Sequence, residues 1–430
     1  MLPTLVGAVA GMLEVQWCRE ARRRAVETAI VIGAGMVGLS TAWHLQEHGV
    51  DVTVFDRTGV AAGASWGNAG YLAPAKTIPL ADPSVWTYGP RALLDPDAAL
   101  HVPLRWDRAL VGFLARFVAH GTMRSWHRTM AALAPINAIA LEAFDELADG
   151  GVGAPTHEGP FVIGFTDQAQ GAKYLDEVRR VRGHGLEFEV AELDATGTDA
   201  LAPVLTGKIR AAYRMDGQRY IEPGPFVDAL GEAVRARGAP MRTGEAVTEV
   251  TGGVVLDTGE RLDADAVVVA TGAWMPELAR TLGVRTRVQA GRGYSFSVAA
   301  EQPIPHPVYL PTQRVACTPY QGRLRIAGTM EFLAPDEPPR RRRIQAMLNQ
   351  LDGLLRGVDL TDRQDEWVGS RPVTPDGLPL VGATAVDGVY VAGGHGMWGM
   401  VLGPATGRLL AKQIVTGEID QVLVPFDPLR

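Results

Sequence analysis

The sequence predicts an α/β fold, in which a parallel sheet flanked by helices carries a second, mainly antiparallel unit inserted into it. Three observations carry that prediction. Ala29-Ile30-Val31-Ile32 is an apolar run that leads into Gly33-Ala34-Gly35-Met36-Val37-Gly38, then a helix through Leu45, then a second apolar run from Val50 to Phe55. This is one βαβ unit of about 30 residues. Ala266 to Ala270 and Val389 to Ala392 are apolar runs of the kind found in parallel strands covered on both faces. Short runs of alternating polarity after Pro160, and again near 293–298 and 323–329, read as strands of a second sheet.

The 430 residues, at about 150 per domain, suit two to three domains. With 47% hydrophobic and 21% charged residues, the composition is that of a globular chain able to bury a large core. A net charge of −7, with no basic stripe interleaved with aromatics, excludes nucleic-acid binding. Cys18 and Cys317 lie far apart, with no CxxC and no Cys/His cluster, so no disulfide framework and no metal site is expected. A reducing compartment follows, and the location expected is cytoplasmic.

Taken in order, residues 1–13 are apolar and precede Arg19 and Arg22 to Arg24, the reverse of a secretory signal's charge order. Residues 1–26 read as an extension, with a weak amphipathic surface anchor as the alternative. No window reaches the ~18–20 apolar residues of a membrane span. Residues 57–80, rich in Gly, Ala, Ser and Pro, read as a long functional loop. Residues 100–150 are mainly helical, with apolar spacing through Leu110, Phe113, Leu114, Phe117 and then Ile136, Ile139, Phe144, Leu147. Pro160 to Phe165 is a strand and 168–182 an amphipathic helix; Pro223 to Arg237 is a helix; Ala246 to Val250 is a strand before the Gly252-Gly253 turn. Arg340 to Arg343 read as the solvated face of a helix whose apolar side is Ile344, Met347, Leu348, Leu351 and Leu355. A glycine-rich turn and a closing helix to about 416 follow Ala392.

The motif Gly33 to Gly38 is GxGxxG placed between a strand and a helix, the context in which the pattern has mechanical meaning. Gly33 permits the tight turn, Gly35 lets the backbone approach a pyrophosphate at the helix N-terminus, and Gly38 allows close helix-to-strand packing. Asp56, 23 residues after Gly33 at the end of the second strand, is placed to accept hydrogen bonds from the hydroxyls of an unphosphorylated ribose. The motif by itself does not choose between FAD and NAD.

Three further segments choose. GASWGNAGYLAP with Gly67-Asn68-Ala69-Gly70, GSRPVTPDGLPLVG from Gly369 to Gly382, and VAGGHGMWG from Val391 to Gly399 resemble the amine-oxidising FAD enzymes of the D-amino-acid oxidase superfamily. RVACTPYQGRLRIAGTMEF (314–332) and DGQRYIEPGPFVDAL (216–230) are similar to its D-amino acid dehydrogenase small-subunit branch. The likeness spans about residues 28–417. It implies a Rossmann-like FAD-binding domain of the glutathione-reductase type with an inserted α+β substrate domain. The expected boundaries are 27–80, 216–290 and 365–420 for the FAD-binding domain, with 81–215 and 291–364 for the substrate domain.

The resemblance also implies roles. Met36, Val37, Arg57, Ser65, Asn68, Ala69 and Gly70 would lie along the cofactor with Gly33, Gly35, Gly38 and Asp56. Val247 would meet the adenine side through its backbone, and Thr271 and Gly272 end a strand at the cofactor edge. In the turn, Gly394, His395, Gly396, Met397, Gly399 and Met400 would face the flavin, whose anionic reduced form a helix N-terminus favours. His395 reads as a flavin contact with no general-base role. Arg371 matches the position that binds the substrate carboxylate, a bidentate task for a guanidinium; the alternative is an ion pair with Asp376 or Asp365. Tyr294 and Tyr320 are candidates to complete the pocket, beside a core-packing alternative.

The implied reaction is oxidative deamination of a D-amino acid to a 2-oxo acid and ammonia, with hydride passing from Cα to flavin N5. Gly369 stands where related enzymes link flavin through cysteine, so FAD is expected to be noncovalent. No lysine lies between Lys208 and Lys412 to serve as an oxygen-activating residue, which favours a dehydrogenase. The expected partners are a small amino acid and a quinone or other electron carrier, with oxygen as an alternative acceptor. Peripheral contact with the inner face of the cell membrane stays open, as do a glycine, sarcosine or D-proline enzyme and a FAD-holding subunit of a larger electron-transfer complex.

Overall fold

In a computed structural model, residues 26–95, 97–103 and 106–430 are described; Cys18 and nearly all of the expected extension lie outside them. The elements that position the site are, in chain order, β1 (Thr28–Ile32), α1 (Met36–Glu47), β2 (Asp51–Asp56), α2 (Met123–Ala138), α3 (Ala140–Asp149), α4 (Pro223–Ala236), β3 (Met241–Thr243), β4 (Ala266–Val269), β5 (Gln289–Ala300), β6 (Val315–Tyr320), β7 (Arg323–Phe332), α5 (Arg341–Leu351), β8 (Val358–Val373), β9 (Leu380–Ala383), β10 (Val389–Gly393) and α6 (Gly399–Thr416).

The first sheet has the order β3-β2-β1-β4-β10-β9, parallel except for the β10–β9 pair. Its registers set Ile32 beside Phe55 and Val269, and Val269 beside Val391, so four strands end at one edge. The apolar runs are apolar because both faces are covered. Val31, Val52, Val54 and Val268 pack under α1, α3, α4 and α6, while Ile30, Ile32, Val267 and Val391 pack against Met275, Leu278 and Val254.

Two helices meet almost backbone to backbone. On α6, a Cβ at Gly407 would lie 2.6 Å from the Ser40 carbonyl carbon and the Thr41 nitrogen, and one at Gly403 would lie 2.6 Å from the Met36 side chain. Only glycine admits that approach. It brings the N-termini of α1 and α6 to the same sheet edge.

The second sheet has nine strands among the described residues. The order begins β8-β5-β7-β6, continues through Val308–Leu310, Phe161–Phe165, Ala211–Met215 and Val190–Leu193, and Leu100–His101 pairs beside β7. Most of its pairs are antiparallel.

Three sequence expectations need correction. The boundary at 365 falls inside β8, which pairs with β5 from Val358 to Val373 with two shifts of register on the way; the chain leaves the second sheet only after Val373. Leu133 and Ile136 of α2 and Ala140, Phe144 and Leu147 of α3, assigned to the substrate domain, complete the core of the parallel sheet. Arg343 is buried rather than solvated, with its Nη2 donating to the carbonyls of Ala98 and Ala99. A guanidinium inside the protein requires such acceptors.

Candidate active site

The strand ends and the two helix N-termini converge on one groove. Gly33, at φ +117°, could not carry a side chain: its Cβ would stand 2.4 Å from the Ala270 carbonyl oxygen. A Cβ on Gly38 would stand 2.0 Å from the Gly33 carbonyl oxygen. The α1 N-terminus has no side-chain cap at Gly35, and Ser65 Oγ accepts the Met36 N–H at 3.2 Å, in the place where a phosphate oxygen would accept it. Val37 supplies the next N–H of that turn.

Asp56 Oδ2 accepts the Ala34 N–H at 2.9 Å, and Oδ1 accepts the N–H groups of Thr58 and Gly59. A carboxylate has about four acceptor positions, so Oδ2 keeps one for a ribose hydroxyl. Gly244 donates its N–H to the Asp56 carbonyl, which brings the following strand, with Val247, beside the same end of the groove. Arg57, next along the chain, pairs with Asp336 and lies over the Trp274 ring.

The Trp66–Gly70 loop lies across the second sheet and is held there by its carbonyls. Arg325 Nη1 donates to Trp66 O at 2.9 Å, Ser295 Oγ to Gly67 O at 2.8 Å, and Thr318 Oγ1 to Ala69 O at 2.6 Å. Asn68 Oδ1 accepts the Gly70 N–H at 2.9 Å, and Gly70 sits at φ +79° with its Cα against the Ile221 carbonyl. Arg325, Ser295 and Thr318 escaped sequence reasoning. Their period-two placement on one face of three neighbouring strands becomes a signal only once the register is known.

At the far end of the groove, Gly394 and Gly396 have φ of +71° and +56°. The Gly396 N–H donates to Pro372 O at 2.8 Å, which ties this turn to Arg371. α6 begins at Gly399 with no side-chain cap, so its first N–H groups, including that of Met400, face the groove; the Met400 side chain itself belongs to the core. Met397 lies within the turn, half-buried. His395 Nε2 pairs with Thr406 Oγ1 at 3.0 Å, and burial pushes its pKa down to about 4. The ring is therefore neutral at pH 7.

Arg371 is the one candidate whose charge is uncompensated by a carboxylate. Its Nη1 donates to Thr329 O at 3.0 Å, and among the described residues no carboxylate lies within ion-pair distance. The carboxylates considered as alternatives are engaged elsewhere: Asp376 pairs with Arg430 at 3.0 Å, and Asp365 accepts from Ser297 at 2.8 Å. The guanidinium lies against Gly293, where a Cβ would clash at 2.0 Å, and desolvation draws its pKa down to about 10. A desolvated cation without a counter-charge is a binding site for an anion.

The structure separates the two tyrosines from that position. Tyr294 points to the opposite face of β5 from Gly293 and packs among Phe296, Ile326 and Met347. Its hydroxyl donates to Glu331 at 2.6 Å and accepts the Arg340 N–H at 3.0 Å, and burial raises its pKa to about 12. Tyr320 pairs with Arg323, six residues along β7 from Thr329, or roughly 20 Å at strand rise. Its ring lies under Arg325, whose guanidinium carbon is 3.8 Å from the ring centre. Both are structural residues here.

The groove fits FAD. Thr271 Oγ1, His395 Nδ1 and Trp367 Nε1 are buried around it with no partner among the described residues, Gly272 adopts φ +56° at the end of β4, and two helix N-termini face it. Cys317 points into the core of the second sheet, with burial raising its thiol to about 12, so it offers no covalent link to a flavin.

A family model described as FAD dependent oxidoreductase, DAO, matches residues 28–413. The chain is 30% identical over 411 residues to the D-amino acid dehydrogenase of Methylobacterium sp. (strain 4-46), covering 91% of this chain and 96% of that protein. It is 31% identical over 401 residues to the D-amino acid dehydrogenase of Cereibacter sphaeroides (strain ATCC 17029 / ATH 2.4.9), covering 90% and 91%. Among solved structures, glycine oxidase from Geobacillus kaustophilus shares the fold with a TM-score of 0.71 at 24% identity, covering 94% of this chain and 98% of that one.

Proposed function

Because the chain belongs to the DAO family of FAD-dependent oxidoreductases, we propose that it is a dehydrogenase converting a D-amino acid to a 2-oxo acid and ammonia. Bound FAD supplies a two-electron acceptor for the bond between the substrate Cα and its hydrogen. The reading is supported above all by Arg371, a desolvated guanidinium with no carboxylate partner among the described residues, lying against Gly293 and next to Pro372, whose carbonyl holds the Gly396 turn.

Arg371 binds the substrate carboxylate and fixes the position of Cα. Gly293 keeps the guanidinium flat against β5. The N–H groups of Gly35 to Val37 and the carboxylate of Asp56 hold the pyrophosphate and ribose, and those at the start of α6 hold the far end of the ring system. His395, the histidine of the Gly394–Gly396 turn, is held neutral with a pKa of about 4 and is not poised to take a proton at neutral pH. The substrate therefore enters with its amine deprotonated. A quinone or other carrier, rather than oxygen, accords with the absence of lysine from the chain between Lys208 and Lys412. No helix among the described residues is long and apolar enough to cross a membrane, so contact with a membrane-borne carrier would be peripheral.

The test is reduction of an artificial dye by the purified protein with D- and L-amino acids, repeated for Arg371→Ala. Dye reduction by D-amino acids is expected. In the variant, KM should rise by roughly 30- to 1,000-fold, the equivalent of about 2–4 kcal/mol for stripping one partner from a desolvated charge pair, with the flavin spectrum unchanged. An unchanged KM would reject the assignment of Arg371.

A further inference from the structure

Asp336 belongs to the loop between β7 and α5, in the second sheet's unit, yet its partners are in the first. Arg57 Nη2 donates to its Oδ1 at 2.7 Å and Trp274 Nε1 to its Oδ2 at 2.8 Å. The Arg57 guanidinium carbon also lies 4.2 Å from the centre of the Trp274 ring. Arg57 immediately follows β2 and Trp274 closely follows β4, the strands that flank β1 on either side. Two strand spacings, ~10 Å, separate those ends. The stacked pair bridges that gap at the sheet edge where β1 delivers Gly33 to Gly38, and Asp336 clasps both members from outside.

The loop that presents Asp336 is fixed at both ends. Leu333 O accepts from Gln289 Nε2 and Pro335 O from Ser370 Oγ, both at 3.0 Å. Pro338 O accepts from Arg292 Nη2 at 3.1 Å, and the Arg340 N–H reaches Tyr294. The clasp is accessible: the side chains of Arg57 and Asp336 are 39% and 62% exposed. An exposed ion pair is weak and is screened by salt, so this contact can open while the loop's anchors stay in place.

We propose that Asp336, with Arg57 and Trp274, is a latch across the phosphate and ribose half of the cofactor groove, and that its opening limits the release and loading of FAD. Asp336 is a positioning residue that touches no reacting atom. The inference rests on FAD occupying the groove, a premise checked separately by the flavin content of the purified wild-type protein.

The experiment follows release of FAD by the rise in free-flavin fluorescence after dilution of the holoprotein, at 50 mM and 1 M NaCl. Wild type should release FAD faster at high salt. Asp336→Ala should release it at least tenfold faster at low salt and lose most of the salt acceleration, and Asp336→Asn, which keeps an acceptor for Trp274 but no charge, should fall between. The unfolding midpoint of the FAD-stripped proteins should be the same, which a general loss of packing would not give. Wild-type release rates in both variants, or salt acceleration undiminished in Asp336→Ala, would overturn the latch.

Discussion

Arg371 and His395 show how desolvation assigns opposite roles to two basic side chains. The guanidinium stays charged at neutral pH even when desolvation draws it down to about 10, so it attracts a carboxylate. The imidazole, pushed down to about 4, stays neutral and contributes shape and a hydrogen bond to Thr406. Between pH 6 and 9 the log of kcat/KM should therefore rise with pH through deprotonation of the substrate amine alone. The rising limb should keep its position in a His395→Asn variant that retains FAD; a limb near pH 6.5 that disappears in that variant would make His395 a base. Arg371 could be singled out in sequence because it stands in the GSRPVTPDGLPLVG segment that carries the resemblance. Tyr294 was left between pocket and core, because β5 shifts register near Arg292/Tyr294 and again at Ser295/Ser297, which sequence spacing does not show. A one-residue shift reverses which face a side chain takes.

At the scale of elements, the crossing of α1 and α6 aims both helix N-termini at the cofactor, and it depends on Gly407. Gly407→Ala would place a methyl 2.6 Å from the Ser40 and Thr41 backbone and should cost roughly 1–3 kcal/mol as overpacking. Chemical denaturation should show that loss together with weaker FAD retention; unchanged stability would mean that the helices can separate freely. The βαβ unit was readable from sequence because its periodicity, glycines and acid agree with one another: α1 was expected through Leu45 and runs to Glu47, and β4 was expected as Ala266–Ala270 and runs Ala266–Val269. β8 was hidden because it is an edge strand. Asp359, Asp362, Arg363, Asp365 and Glu366 make it charged on both faces, a composition that resembles a loop and protects a sheet edge. The packing of α2 and α3 on the parallel sheet was hidden for a different reason, since apolar spacing identifies a buried face but not what covers it.

For the molecule as a whole, two buried histidines set an acid limit on stability. His44 is pushed down to about 3 by burial and by Arg408, His48 and Arg237, and His395 to about 4 by burial. Both folded pKa values are below the unfolded value near 6.5, so the unfolded state binds more protons and stability falls as pH drops below about 6.5. By pH 5 each should cost about 2 kcal/mol. The unfolding midpoint should decline from pH 7 to pH 5, and more shallowly in His44→Gln; a midpoint that holds until the carboxylates titrate would show that these rings gain protons without cost. The central claim, that this fold oxidises a D-amino acid through FAD, is tested most directly by mixing the purified protein with amino acids under anaerobic conditions and following flavin absorbance, then admitting air. The account predicts bleaching by D-amino acids and not by their L-enantiomers, followed by slow recovery of colour in air. A protein that holds FAD yet is bleached by no D-amino acid would contradict it.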